Sequence, residues 1–245
     1  MLSCSCRIGD VMGLFHACRQ LPVLAMLLVG AAASIHARDL QADVVQADTV
    51  APVAGDRAFE RYRAGDVAQA MRLYRALADA GDPLAAYNVA AIRLRDESDE
   101  PDQATAIALL RRSAEAGVAI AQHMLGTVYE RGELVEPDQA EALAWFERAA
   151  RQGVVDAQVA AATQHFLGRG TPKDLGKALD WYREAAGGGD AAAAYIAGSM
   201  YEHGDGTDVD LRAAFEWYAA SARQGDEVAR LKAAEVAERI ARSSQ

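Results

Sequence analysis

Residues 121–153 read AQHMLGTVYERGELVEPDQAEALAWFERAARQG. In the first half, Ala121 and Leu125 begin an apolar stripe at helical spacing. The stretch from Gly132 to Pro137 carries helix-breaking residues, and a second apolar stripe then runs from Ala142 to Ala150. The segment therefore predicts two antiparallel helices joined by a loop.

The same pattern recurs with a step of 36 residues. One unit cannot bury its apolar face alone, so the units must stack into an all-α solenoid of helix pairs. We predict units at about 55–81, 85–117, 121–153, 157–189 and 193–225, then a polar capping helix at 226–242. The positions that keep the step are Leu73-Tyr74, Leu109-Leu110, Trp145-Phe146, Trp181-Tyr182 and Trp217-Tyr218, with Gly81, Gly117, Gly153, Gly189 and Gly225.

The residues at the predicted helix ends agree with this interpretation. An aspartate precedes each second helix of units two to five, where its carboxylate can accept free backbone N–H groups. Glu141 follows Asp138 by three residues, the pattern of a capping box. Small residues at Gly126 and Gly198 mark predicted close approaches of helices, since glycine inside a helix costs about 1 kcal/mol relative to alanine. The predicted N-caps are Asp102, Asp138, Asp174 and Asp210.

These residues resemble the Sel1-like repeat, a relative of the tetratricopeptide repeat with a longer glycine-rich loop. The resemblance rests on Leu125-Gly126-x-x-Tyr129, the Gly132 loop, Asp138, Ala142, Trp145-Phe146 and Ala149-Ala150, and it covers about residues 55–225. One copy departs from the pattern, with Ala161-Ala162-x-x-His165. The resemblance implies a right-handed superhelix that acts as a binding adaptor.

The first 37 residues are typical of an export signal. Arg7 and Arg19 precede an apolar run from Leu21 to Ala33, and Ile35-His36-Ala37 offers a small-residue cleavage site. The run is shorter than the roughly 20 apolar residues that span a bilayer. We therefore expect a cleaved signal and a periplasmic or secreted product, with a retained anchor and a start at Met12 as open alternatives. Residues 38–54 are predicted to be a flexible linker.

Composition excludes several classes of function. The three cysteines, Cys4, Cys6 and Cys18, all lie in the predicted signal, so the mature chain would have no disulfide or thiol chemistry. The net charge is −10 for the full chain, and loss of the signal makes it more negative. This charge argues against nucleic acid and anionic membranes as partners.

No cofactor, metal site or catalytic group is predicted. His123, His165 and His203 occupy different positions of the unit, and no HExxH pair occurs. The acidic loop Gly204–Asp210 lacks the order of calcium ligands in an EF-hand, so we interpret it as a solvated loop. The three tryptophans keep the repeat period, and we assign them to the core.

The predicted partner surface lies on the first helices of the units. On the first helix of each unit, the residues at i, i+4, i+7 and i+8 from Tyr87 or its equivalent lie opposite the small-residue stripe, and in tetratricopeptide-like arrays that face lines the concavity. We call this set the odd-helix face, because the first helix of each unit is odd-numbered when the helices are counted along the chain. It comprises Tyr87, Leu94, Arg95, His123, Thr127, Glu130, Arg131, Val159, Thr163, Phe166, Leu167, Tyr195, Ser199, Glu202 and His203.

The leading functional hypothesis is a non-catalytic exported adaptor that takes a protein or peptide partner on the concave face. A glycan ligand stays open, as does the oligomeric state. The alternatives are a secreted hydrolase of the cell-wall or β-lactam type and a membrane-tethered adaptor. The hydrolase alternative comes from the resemblance, because some cysteine-rich secreted relatives are penicillin-binding or β-lactamase-like. Their repeats are disulfide-linked, whereas the mature part of this chain would have no cysteine.

Overall fold

A computed structural model describes residues 52–95 and 102–243. The predicted signal and most of the predicted linker lie outside these residues. Within the two ranges all the regular secondary structure is α-helical, as the repeat pattern predicts. The helices are α1 Pro52–Arg63, α2 Val67–Asp79, α3 Pro83–Leu94, α4 Gln103–Glu115, α5 Ala119–Arg131, α6 Gln139–Arg151, α7 Val155–Leu167, α8 Leu175–Gly187, α9 Ala191–His203, α10 Leu211–Arg223 and α11 Glu227–Ser243.

Each odd helix pairs with the even helix that follows it, which gives units one to five, and α11 follows unit five. Close packing joins helices that are neighbours in the chain. The predicted linker ended at Ala54, and this boundary is wrong because α1 begins at Pro52. A proline suits the first turn of a helix, where its missing N–H would have no intrahelical acceptor. The predicted capping helix begins after Asp226 and runs to Ser243.

The aspartate caps are present as predicted. Asp138 Oδ1 accepts hydrogen bonds from the backbone N–H groups of Ala140 and Glu141, at 2.9 and 3.0 Å. Asp102, Asp174 and Asp210 cap their helices in the same way. One half of the predicted capping box is present, since Asp138 Oδ1 accepts from the Glu141 N–H. The other half is not, because the N–H of Asp138 donates to the Tyr129 carbonyl oxygen at 3.0 Å instead of to the Glu141 side chain.

This Asp138–Tyr129 bond closes the loop between the two helices of unit three. Equivalent bonds join Asp174 to His165 in unit four and Asp210 to Tyr201 in unit five, both at 2.9 Å. The second glycine of the loop lies against the preceding unit: a Cβ on Gly206 would stand 2.4 Å from the carbonyl oxygen of Leu175. The loops therefore take part in stacking the units.

The core contains the aromatic residue that follows each tryptophan. Phe146, Tyr182 and Tyr218 are buried. Gly126 makes room for the first of them, since a Cβ there would stand 2.7 Å from the Phe146 ring. Gly198 does the same beside Tyr218, where the distance would be 2.9 Å. The predicted close approaches at these two glycines are confirmed.

The tryptophans differ from one another. Trp145 is 7% exposed and belongs to the core, as predicted. Trp181 and Trp217 are only partly buried. Their assignment to the core is wrong to this extent, because part of each ring lies at the surface between even helices.

Candidate functional site

The odd-helix face divides into a buried part and a partly exposed part. The buried members are Tyr87, Tyr195, Ser199 and Glu202. We predicted Tyr87 and Tyr195 as aromatic anchors for a partner, and this is wrong because their exposed fractions are 0% and 5%. The other members retain accessible surface.

The burial around Tyr195 has a specific cause. Its ring packs at 5.1 Å, with a tilt of 59°, against the ring of Tyr218 from the paired helix. Tyr218 Oη donates to Glu202 Oε2 at 2.8 Å. Arg239 of α11 pairs with the other oxygen of Glu202, and Lys232 Nζ lies 3.9 Å from the carboxylate. The last helix is therefore held against α9 through Glu202, which we predicted to bind a partner.

Most of the accessible members of the face lie on α5 and α7. His123 packs its ring 5.7 Å from the ring of Phe146. Lys173 Nζ stands 5.1 Å from the Phe166 ring centroid, a cation–π distance. Leu167 is 41% exposed, which is high for a large apolar side chain. The accessible members on these two helices are His123, Thr127, Glu130, Arg131, Val159, Thr163, Phe166 and Leu167.

Hydrogen bonds hold this part of the face in place. Gln164 Nε2 donates to Glu130 Oε1 at 2.8 Å, which ties the end of α7 to the end of α5. Thr163 Oγ1 lies 2.8 Å from the Val159 carbonyl oxygen, to which it donates, and 3.1 Å from Tyr182 Oη. Burial raises the pKa of Tyr182 to about 12, although the hydrogen bond with Thr163 opposes the rise. The phenol is therefore neutral at physiological pH.

The remaining members lie on α3 and α9, the odd helices on either side of α5 and α7. Leu94 and Arg95 lie partly buried at the end of α3. Arg95 donates to Tyr62 Oη at 3.0 Å. His203 is exposed at the end of α9, and its Nδ1 lies 2.8 Å from the Ser199 carbonyl oxygen. The structure therefore brings together the members on α5 and α7, while those on α3 and α9 serve mainly in packing.

A groove that we did not predict lies among the even helices. It has a volume of about 1140 Å³. We call it the even-helix groove; its lining includes Glu147, Arg151, Gln158, Trp181, Glu184, Gly188 and Trp217. A signal for it exists in the sequence: Gly187-Gly188-Gly189 stands where units three and five have Arg-Gln-Gly.

The wall of this groove on α6 is internally paired. Arg151 lies 2.6 Å from Glu147 Oε2, and His165 Nε2 donates to Glu147 Oε1 at 2.9 Å. His165 is 2% exposed, so it packs in the interior, as we predicted. Within residues 52–95 and 102–243, no three His, Cys, Asp or Glu side chains are grouped as a metal site would require.

In the same described residues, no helix has the length and apolar character needed to cross a bilayer.

The sequence matches the family model described as Sel1 repeat over residues 62–82, 83–118, 119–154, 155–190 and 191–226. The chain belongs to the Sel1-repeat family.

Solved structures of Sel1-repeat proteins resemble this chain. A Sel1 repeat protein from Oxalobacter formigenes is 31% identical, with a TM-score of 0.69 over 73% of this chain and 74% of that one. A protective antigen present in uropathogenic Escherichia coli strains, displaying an SLR fold, is 30% identical, with a TM-score of 0.61 over 65% of this chain. The match spans about a third of that antigen, 34% of its chain. No curated protein matches the sequence.

Membership of the family has a general functional meaning. Sel1-repeat proteins are typically helical scaffolds that mediate protein–protein interactions, and they are generally not enzymes. A scaffold of this kind acts through its surfaces, so the two accessible surfaces described above are the candidates for binding.

Proposed function

We propose that this chain is a non-catalytic scaffold that binds a protein or peptide partner on the α5 and α7 part of the odd-helix face. One observation carries this proposal: the face positions on α5 and α7 keep accessible surface, whereas three of the four on α9 are buried. The accessible set combines an aromatic ring, an exposed leucine and charged groups. Aromatic and arginine side chains are enriched among the residues that dominate binding energy at protein interfaces.

A matched pair of double variants tests this surface. Arg131→Ala with Phe166→Ala removes one cation and one ring from the face. Arg212→Ala with Phe215→Ala removes the same groups from α10, where both side chains are exposed. Each protein is immobilised in equal amount, incubated with cell-envelope extract, and analysed by quantitative mass spectrometry.

We expect the first variant to lose at least about tenfold of the partner that wild type captures, because each removed contact contributes roughly 1 kcal/mol or more. The second variant should capture as wild type does. If the first variant captured as much partner as wild type and kept its helicity by circular dichroism, this face would be ruled out as the binding surface. Loss of capture in the α10 variant alone would place the interface on α10.

We further propose that the protein works in the cell envelope after export. The support is the basic start, the apolar run from Leu21 to Ala33 and the small residues before Arg38. Intact mass of the protein from the periplasmic fraction should correspond to a chain that begins at Arg38. A mass that includes Met1 or Met12 would contradict cleavage.

A further inference from the structure

The even-helix groove lies at the place where unit four differs from its neighbours. Helix α6 ends in Arg151-Gln152-Gly153, and α10 ends in Arg223-Gln224-Gly225. At the end of α8 the sequence is Gly187-Gly188-Gly189, so two long polar side chains are replaced by hydrogen. Gly187 and Gly188 both line the groove.

The first consequence concerns a buried amide. Gln122 of unit three donates from Nε2 to the Ala114 carbonyl oxygen at 3.0 Å, and its Oε1 accepts from Gln152 Nε2 at 2.8 Å. Gln158 is its equivalent in unit four and donates in the same way to the Ala150 carbonyl oxygen at 3.2 Å. The donor that would serve Gln158 is missing because residue 188 is glycine.

Gln158 Oε1 is therefore left unsatisfied. The residue is 6% exposed, lines the groove, and its Oε1 has no hydrogen-bond partner in the described part of the chain. The bond from Nε2 to a carbonyl fixes the orientation of the amide, since a carbonyl oxygen only accepts. A buried acceptor without a donor destabilises the folded state, so a ligand N–H at this position is favoured.

The backbone does not require glycine at position 188. Its dihedral angles are φ −76° and ψ −1°, close to the φ −91° and ψ 5° of Gln152. A Cβ on Gly188 would instead stand 2.5 Å from Cγ2 of Val155. Unit three has Ala119 at the position of Val155. Val155 and Gly188 thus form a pair that keeps a side chain out of the groove.

The second consequence concerns positive charge. In unit three the Arg148 guanidinium lies over the Trp145 ring, 4.3 Å from its centroid. The residues at these positions in unit four are Glu184 and Trp181, so the cation is replaced by a carboxylate. Within the described ranges Glu184 makes no ion pair, and the Trp181 ring has no cation above it.

The end of α8 also lacks a basic side chain. Helices α6 and α10 carry arginine in the last turn, where a cation stabilises the negative end of the helix dipole, and α8 carries none. Unit four therefore lacks the cation over the tryptophan ring, the arginine in the last turn of the even helix, and the N–H donor to the buried glutamine. All three are in the lining of one groove or beside it.

We propose that the even-helix groove binds an arginine side chain of a partner polypeptide. A guanidinium supplies each missing group: its planar face stacks on Trp181, its N–H groups donate to Gln158 Oε1, and its charge pairs with Glu184. The lining also contains Arg151, Lys177 and Arg183. These cations are paired with Glu147, Asp174 and Asp180, so they leave the Glu184 carboxylate available. At longer range the net charge of −10 favours a cationic partner. This inference rests on the proposed function in one respect, namely that the ligand is a polypeptide.

Titration of the full chain with two capped peptides tests the proposal. The probe is acetyl-Gly-Gly-Arg-Gly-Gly-amide, and the control replaces arginine by citrulline, which has the same shape but no charge. Binding is followed through the tryptophan indole N–H signals in two-dimensional NMR spectra. We expect the arginine peptide to shift the Trp181 signal and to bind at least about tenfold more tightly than the citrulline peptide.

Two variants of the protein locate the site. Val155→Ala with Gly188→Gln recreates the arrangement of unit three, so it should fold normally and abolish the shift of Trp181. Glu184→Gln keeps the shape of the groove and should weaken binding of the arginine peptide about tenfold. Glu184 is exposed at the surface of α8, so this substitution should not affect folding.

Equal binding of both peptides, no shift with either, or unchanged binding by Glu184→Gln would overturn the proposal. Unchanged binding by a folded Val155→Ala, Gly188→Gln variant would do the same. Failure here is distinct from failure of the proposed function, because partner capture through Arg131 and Phe166 is measured separately. A protein that ignores the arginine peptide but still captures its partner contradicts the groove alone.

Discussion

At the scale of single residues, each even helix carries two adjacent aromatic or apolar residues with different roles. The second of the two is buried in every unit: Phe146 is 1% exposed, and Tyr182 is 0% exposed. The first is buried as Trp145 but only partly buried as Trp181. Size alone would rank the tryptophan as the more important core residue, whereas Trp181 keeps part of its ring at the surface and Tyr182 beside it is fully buried.

We predict that Phe146→Ala destabilises the fold more than Trp181→Ala. The first change removes a buried ring and should cost about 3–5 kcal/mol, while the second should cost about 1–3 kcal/mol because part of its ring already contacts water. Urea unfolding of the two variants measures the difference. A larger loss of stability in Trp181→Ala would show that the partly exposed tryptophan contributes more to the core than the buried ring of Phe146.

A second prediction concerns alkaline pH. Burial raises the pKa of Tyr182 to about 12 from an ordinary value of 10.0. The unfolded chain therefore releases this proton at a lower pH than the folded protein does. The contribution of the group to stability is complete below about pH 10 and is lost as the pH rises through about 12.

Tyr182→Phe should thus flatten the fall in unfolding free energy between pH 10 and 12, at some cost in stability at pH 7 from the lost contact with Thr163. Burial also raises the pKa of Tyr74 and Tyr218, so the fall should be reduced rather than abolished. Denaturant titrations at several pH values measure it. An unchanged slope would mean that Tyr182 ionises as freely in the folded state as in the unfolded chain.

At the scale of helices, a buried carboxylate on α9, that of Glu202, holds α11 in place. Glu202, whose side chain is 4% exposed, pairs with Arg239 and accepts a hydrogen bond from Tyr218. Burial lowers the pKa of Lys232, but its hydrogen bond to Glu235 and the charges of Glu202 and Glu235 outweigh this and raise it overall. The outer surface of α11 is not wholly polar, since Val228 and Leu231 are 55% and 61% exposed.

We expect Arg239→Ala to lower the free energy of unfolding by about 1–3 kcal/mol, because it leaves the Glu202 carboxylate short of its cation in the interior. Arg242→Ala on the same helix breaks only an exposed pair with Glu238, 3.6 Å long, and should cost less than about 0.5 kcal/mol. Thermal melts of the two variants decide. Equal melting temperatures would show that the buried pair does not hold α11 in place.

The helices and their caps could be predicted because their signals are local and repeated. Asp138 and its three equivalents cap helices through contacts two or three residues away. The burial of Tyr195 could not be predicted in this way, because it depends on the packing of α9 against Tyr218 and α11. The even-helix groove was missed for another reason: its signal is a departure from the repeat at Gly187 and Gly188, and the period draws attention to what recurs.

At the scale of the whole repeat array, the described units differ in what they leave accessible. Units three and four expose part of the odd-helix face, and unit four also opens the even-helix groove. Unit five is closed on its odd helix by α11. Variation between copies of one structural unit, rather than the unit itself, gives this scaffold its candidate binding surfaces.

Site-specific photo-crosslinking shows directly whether a polypeptide partner lies against α5 and α7. The photoreactive amino acid benzoylphenylalanine replaces Phe166 in one variant and the exposed Ala108 of α4 in a control. After irradiation with envelope extract, we expect a discrete crosslinked protein from position 166 and none from position 108. A crosslink from position 108 alone, or from neither position while wild type still captures its partner, would contradict this placement of the partner.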